Sequence, residues 1–225
     1  MERVNAFHPE PRLPAGERAE IEDYVRSGYD RGHMAPSGDM PDAASQGESF
    51  TLANMIPQNP DHNRGLWADI ETGVRELARR HGEVYVVTGP VFAGANLMSL
   101  KGRVIVPTSV YKAVYVPGAG IAGAYLAPND PGGTWQVVSV DALTALIGID
   151  VFPRLDPRLR AAAGPLPGPK ARRPRPEAGA QPATPGDAGS TAPAPGFLRS
   201  MGEVIGGAAR YVGKEALKEI LHPRR

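Results

Sequence analysis

The run Tyr29-Asp30-Arg31-Gly32-His33-Met34-Ala35-Pro36 sets an arginine and a histidine either side of a glycine, just ahead of a proline break. Downstream, Asn63, Trp67, Glu71 and Arg75 recur at every fourth position. A helix turns about 100° per residue, so each step of four drifts by only about 40°. Asn63, Glu71 and Arg75 therefore fall along one stripe about 18 Å long. An amide, a carboxylate and a guanidinium on one helix face make a poor core. They suit a hydrated metal beside phosphate oxygens. Magnesium prefers oxygen ligands and gives up water reluctantly, so an Asn oxygen can ligate it directly while a nearby carboxylate holds its waters. A neutral His is matched to accepting a proton from an attacking water near neutral pH. Arginines neutralise charge developing on phosphate.

Such a set needs elements that hold it. Asn59-Pro60 reads as a helix start, with Asn as cap and Pro in the first turn. The helix then runs through DHNRGLWADIETGVRELARR and stops before Gly82. Strand-like segments follow at Glu83–Thr88, Arg103–Val106, Ser109–Val116, Ile121–Leu126 and Trp135–Val140. A short helix over Asp141–Leu146 and a strand-like Ile149–Phe152 close the domain, which is thus expected to be α+β with an antiparallel sheet. Trp67 reads as core. Glu71 has a plainer alternative, an ion pair with Arg75 one turn on. His8, His62, His81 and His222 read as surface residues, with His62 notable for adjoining Asn63.

Composition divides the 225 residues into three parts. Residues 1–160 form the domain. Residues 161–196 are almost entirely Pro, Ala and Gly with scattered Arg, and are expected to be a disordered linker. Residues 197–225 carry apolar positions at mostly helical steps, from Phe197 and Leu198 to Ile220 and Leu221, and are expected to be an amphipathic helix that docks on something. Residues 1–160 hold 15 Lys/Arg against 19 Asp/Glu, and residues 161–225 hold 10 against 5. The domain is mildly acidic, so bulk charge lends a nucleic-acid role no support; any such role rests on a site. Cysteine is absent, which excludes disulfides, thiolate metal sites and a cysteine nucleophile. No stretch reaches the roughly 20 apolar residues of a membrane span, and no signal peptide pattern opens the chain.

DRGHMAPSGDM (Asp30 to Met40), then Asn54-x-x-Pro57-Gln58, then Asn63-x-x-x-Trp67-x-x-x-Glu71 resemble the DNA/RNA non-specific endonuclease family, the ββα-metal (His-Me finger) nucleases. The likeness continues through Val84–Pro90, Val106-Pro107-Thr108 and Tyr111-Lys112 to about Leu155. The resemblance implies a ββα-metal domain and metal-dependent, sugar-non-specific cleavage of DNA and RNA, with Mg2+ as cofactor and Mn2+ as a substitute. It implies His33 as general base, Asn63 as direct metal ligand and Glu71 acting on the metal through water. Asn54 matches an active-site asparagine; Arg31 and Arg75 match arginines near the phosphate, and Arg3 a further phosphate contact upstream. Family members carry several dozen residues before the segment that opens this chain. The chain is therefore expected to be either a piece of a longer product or a short variant with an exposed sheet edge. Relatives are often secreted, periplasmic or mitochondrial, and often dimeric.

Two other readings compete. One is a catalytically impaired nucleic-acid-binding or scaffold protein that acts through its basic tail. The other is a delivered nuclease, a toxin or effector, with residues 161–225 as its docking arm; an inhibitor or docking partner acting through residues 197–225 is a related expectation.

Overall fold

The computed structural model describes residues 6–169. Arg3, the stretch from Lys170 onward and the expected 197–225 helix lie outside the described residues.

The centre of the fold is a four-stranded antiparallel sheet, in the order β3 (Tyr85–Val91), β6 (Ser109–Val116), β7 (Ile121–Pro128) and β8 (Gln136–Val138). Side chains alternate across a strand, so each face is a separate packing surface. On β6, Val110, Val114 and Val116 meet Trp67, Ile70, Val74 and Leu77 of the helix that covers one face. Tyr111 and Ala113 point the other way and pack with Leu143 of α5 (Val140–Ile147). With helices on both faces, β6 and β7 are buried along almost their whole length. That explains why they read as near-continuous apolar runs. β3 is an edge strand, with Tyr85 and Val86 exposed.

A second, two-stranded antiparallel sheet pairs β1 (Asp30–His33) with β2 (Met55–Gln58). β2 leads into the covering helix, which has three parts: α3 (Pro60–His62), a π-helical turn at Asn63–Trp67, and α4 (Ala68–His81). Asn59 caps its start by accepting from the backbone N–H of Asp61 and His62, and Gly82 ends it at φ 81°. This β1–β2–helix unit is a ββα motif. Asn129, just after β7, clamps it to the main sheet: its side chain accepts from Asn59 N–H at 2.8 Å and donates to the carbonyls of Pro57 and Pro107. The short helices α1 (Ile21–Tyr24) and α2 (Ala43–Glu48) and the hairpin β4 (Ser99–Leu100)–β5 (Val104–Ile105) lie around the motif.

Three expectations are corrected. Ile149–Phe152 is not a strand: it follows the left-handed Gly148 that ends α5, and Asp150 accepts from Phe152 N–H in a tight turn. Arg160 of α6 (Pro157–Ala161) braces that turn through Asp150 and the Phe152 carbonyl. The linker does not begin at 161. Gly164 N–H donates to the Ala122 carbonyl at 2.8 Å, Leu166 is buried in the core, and Tyr125 OH donates to the Pro167 carbonyl. Composition hid this because one leucine and backbone hydrogen bonds suffice to anchor the segment. His62 is not a surface residue either. It is 1 % exposed, packed beside Trp67 with Nδ1 3.2 Å from Gln58 Nε2, and burial pushes its imidazole down to about 4.

The segment before α1 is tied to the ββα motif at Thr51. His8 bridges to Thr51, and the Glu10 carboxylate accepts from the Thr51 hydroxyl and from the Arg12 guanidinium at 2.6 Å. The Arg12 hydrogen bonds, with Thr51 adding to them, hold the Glu10 carboxyl well below its ordinary 4.5, at about 2. A carboxyl lowered by folding favours the folded state above its unfolded value and loses that contribution on protonation. The stability difference between the parent and Glu10→Gln is therefore expected to shrink as pH falls from about 4.5 to about 2. Melting temperatures recorded across that window check it; a constant gap would refute it.

Candidate active site

A groove of about 1070 Å³ runs between the ββα motif and the loop that follows β1. β1 contributes Arg31 and His33, and the helix contributes Asn63, Arg64, Glu71, Arg75 and Arg79. Pro36, Ser37 and Gly38 of the loop after β1 line it too, as does Phe7. Of the expected site residues, the structure thus brings together Arg31, His33, Asn63, Glu71 and Arg75. The groove wall carries four arginines against Asp30 and Glu71, so it is locally basic inside a mildly acidic domain.

His33 ends β1, where it pairs with Met55. Its half-buried ring meets the edge of Phe50 at 4.9 Å and lies 6.0 Å from Phe7. Phe7 also lies under the Arg31 guanidinium at 4.3 Å, a cation–π distance. One aromatic side chain thus steadies both Arg31 and His33.

Gly32 between them is required by packing: a Cβ there would fall 1.7 Å from Gln58 Oε1. Immediately after His33 the chain is fixed by Asn54. The Asn54 side chain accepts from Ala35 N–H and donates to the carbonyls of Ala35 and Ser49, while its own carbonyl accepts from Met34 N–H. Asn54 does not line the groove; its amide is spent on backbone that sets where His33 sits.

Asn63 and Glu71 reach the same groove through the π turn. Gly65, at φ −102° and ψ −107°, departs from helical geometry. The extra residue in that turn rotates what precedes it by up to roughly 100° relative to an unbroken α-helix. Trp67 consequently packs into the core, 1 % exposed, while Asn63 faces the groove. Asp30 fixes the orientation of Asn63: its carboxylate accepts from Asn63 Nδ2 at 3.0 Å and from both Nε and Nη2 of Arg64. An ionised carboxylate only accepts, so the end of the amide facing it is the nitrogen and the carbonyl oxygen takes the other end. The pairing of Asp30 with Asn63 across 33 positions leaves no local signal in the sequence.

Arg75 donates to Asp39 at 2.9 Å and to the Thr72 hydroxyl at 3.1 Å. Beneath the helix, Lys112 of β6 is 1 % exposed, donates to the Thr88 hydroxyl at 2.6 Å and lies 5.4 Å from the centre of the Trp67 ring. Burial lowers its pKa, and the Glu71 and Asp39 carboxylates oppose that shift.

Among the described residues no group of three or more His, Cys, Asp or Glu comes together. Asn63, Asp30 and Glu71 bring amide and carboxylate oxygens to a groove open to water, with the Asp30 carboxylate held by Asn63 and Arg64. Hard oxygens and few protein ligands fit a magnesium-like cation that keeps most of its waters, and fit poorly a metal that requires several nitrogen or sulfur ligands.

A sequence profile of DNA/RNA non-specific endonucleases matches residues 1–158. A nuclease from Nostoc sp. is 39% identical over 178 residues, covering 72% of this chain and 64% of the relative. The mitochondrial nuclease EXOG of Homo sapiens is 36% identical over 172 residues, covering 67% of this chain and 47% of the relative. The chain thus spans less than two thirds of the length of these curated relatives. A chain from a crystal structure of the EndoG/EndoGI complex superposes with a TM-score of 0.63 at 28% identity, covering 69% of this chain and 71% of that one. The profile takes in the whole ββα motif and the sheet it rests on, and the chain belongs to the DNA/RNA non-specific endonuclease family.

Proposed function

We propose that the protein is a divalent-metal-dependent endonuclease that hydrolyses phosphodiester bonds in both DNA and RNA. The observation that carries this reading is the convergence of His33, Asn63, Glu71 and four arginines on one basic groove. The match to the DNA/RNA non-specific endonucleases and the relatives named as nucleases support sugar-non-specific cleavage.

In this reading the Asn63 carbonyl oxygen, aimed by Asp30, holds Mg2+ directly, and Glu71 holds the waters of its shell. Bound there, Mg2+ (or Mn2+ in its place) would stabilise charge on the phosphate and on the leaving oxygen. His33 accepts a proton from the water that attacks phosphorus, and Phe7 and Phe50 restrain its ring. Arg31 and Arg75 neutralise the phosphoryl oxygens, with Arg3 as a further contact. Asn54 acts as a positioning residue through the backbone after His33. The EndoG structure is of a complex with EndoGI, described as EndoG inhibition, and an inhibitor of that kind is a partner class this reading extends to. A homodimer and docking through residues 197–225 are further proposals.

The direct test is cleavage of plasmid DNA and of RNA with Mg2+, with and without EDTA. Cleavage of both, abolished by the chelator and restored by excess Mg2+, is expected; cleavage that survives EDTA, or none by the folded protein, overturns the reading. Asp30→Ala frees the Asn63 amide to rotate, and groups that orient a ligand typically matter about 10- to 100-fold. The Mg2+ concentration for half-maximal cleavage is expected to rise by that order, and an unchanged Mg2+ titration would remove Asp30 from the site.

A further inference from the structure

We infer that Arg79 forms a second phosphate subsite, which binds the nucleic-acid backbone at a phosphate away from the scissile one. This rests on the nuclease reading above for the position of the scissile phosphate. Arg79 lies in the last turn of α4 and is exposed, yet it lines the same groove as His33 and Asn63. It continues the stripe of Glu71 and Arg75 by one more step of four. Its guanidinium has no ion pair among the described residues, whereas Arg64 is held by Asp30 and Arg75 by Asp39.

Distance decides which phosphate it can meet. Arg79 is eight residues beyond Glu71, or roughly 12 Å along the helix axis. One strand of a duplex places a phosphate about every 3.4 Å along its axis. At that distance Arg79 meets a different phosphate from the scissile one, on the same groove. The competing account is that Arg79, Arg80 and His81 simply complement the negative end of the helix. That account treats Arg79 and Arg80 alike. The groove does not, because Arg80 does not line it.

The comparison of Arg79→Ala, Arg79→Lys and Arg80→Ala therefore isolates the subsite. Binding of a fluorescein-labelled duplex of about twelve base pairs, followed by anisotropy in EDTA, reads it without cleavage. Arg79→Ala is expected to weaken binding roughly three- to tenfold and to flatten the slope of log affinity against log salt by about 0.9, the share of one phosphate. Arg79→Lys and Arg80→Ala should keep the parental slope. An unchanged slope in Arg79→Ala, equal losses in Arg79→Ala and Arg80→Ala, or a parent that does not bind the duplex would each overturn the subsite. A parent that binds with the expected slope but never cleaves would instead defeat the nuclease reading and leave Arg79 as a phosphate contact with no scissile phosphate to refer it to.

Discussion

His33→Ala is expected to lower kcat on plasmid DNA and on RNA by about 10²- to 10⁴-fold, the range that a positioned general base contributes. KM should change little, because the groups proposed to hold the phosphate, Arg31 and Arg75, are left in place. The side chain is half-buried against Phe50 and Phe7, so its loss also leaves a small gap between two aromatic rings. Melting temperature separates the two effects. A variant that keeps its parental melting temperature within a few degrees but loses kcat has lost the base. Retention of kcat within about tenfold would mean that another group takes the proton. His62 is a poor substitute: it is buried, and its imidazole is pushed down to about 4.

Gly32→Ala should be the most damaging single-methyl change in the ββα motif. The added carbon would fall 1.7 Å from Gln58 Oε1, 2.5 Å from Cδ and 2.8 Å from Cγ, so no small adjustment of the amide end relieves it. Gln58 is fully buried and its Nε2 meets His62, so displacing it disturbs the helix start as well. Overpacking of this kind costs about 1–3 kcal/mol, and here the upper end applies. For a domain of this size that corresponds to a fall in melting temperature of roughly 6–12 °C. The double variant Gly32→Ala/Gln58→Ala should be more stable than the two single losses combined, because the second change vacates the space the first requires. Simple additivity in that cycle would show that the clash is not the cause.

What could be read from residues alone follows from how locally each feature is encoded. The Asn59-Pro60 start and the Gly82 stop of the helix are cap chemistry within a few residues, and both hold. Strands β6 and β7 are long apolar runs because both faces are covered, and β6 matches its expected limits residue for residue. The groove residues Arg31, His33, Asn63, Glu71 and Arg75 were visible as motifs with fixed spacing.

Features that depend on remote partners were not visible. Strand β1 is four residues containing Asp, Arg, Gly and His, which carries no strand signal; it exists because β2 pairs with it and Asn129 holds the pair. The amide of Asn54 is absorbed by backbone about 19 positions away, so its type suggested chemistry where its geometry shows support. Arg79 sat among the basic residues that ordinarily end a helix, and only the groove singles it out. Residues 164–168 were hidden by composition, since a single Leu166 and two hydrogen bonds, with the Ala122 carbonyl and the Tyr125 hydroxyl, do the anchoring.

The π turn at Asn63–Trp67 acts as a phase shift between two gears on one shaft. Below it, α4 is timed to the sheet, with Ile70, Val74 and Leu77 seated in the core. Above it, the same chain is timed to the groove, where Asn63 meets Asp30. In the unbroken helix expected from the spacing, Trp67 would lie between Asn63 and Glu71 on the helix surface; the turn is what seats Trp67 in the core while Asn63 and Glu71 share the groove. Gly65, whose dihedrals leave the helical region, absorbs the change of phase between them.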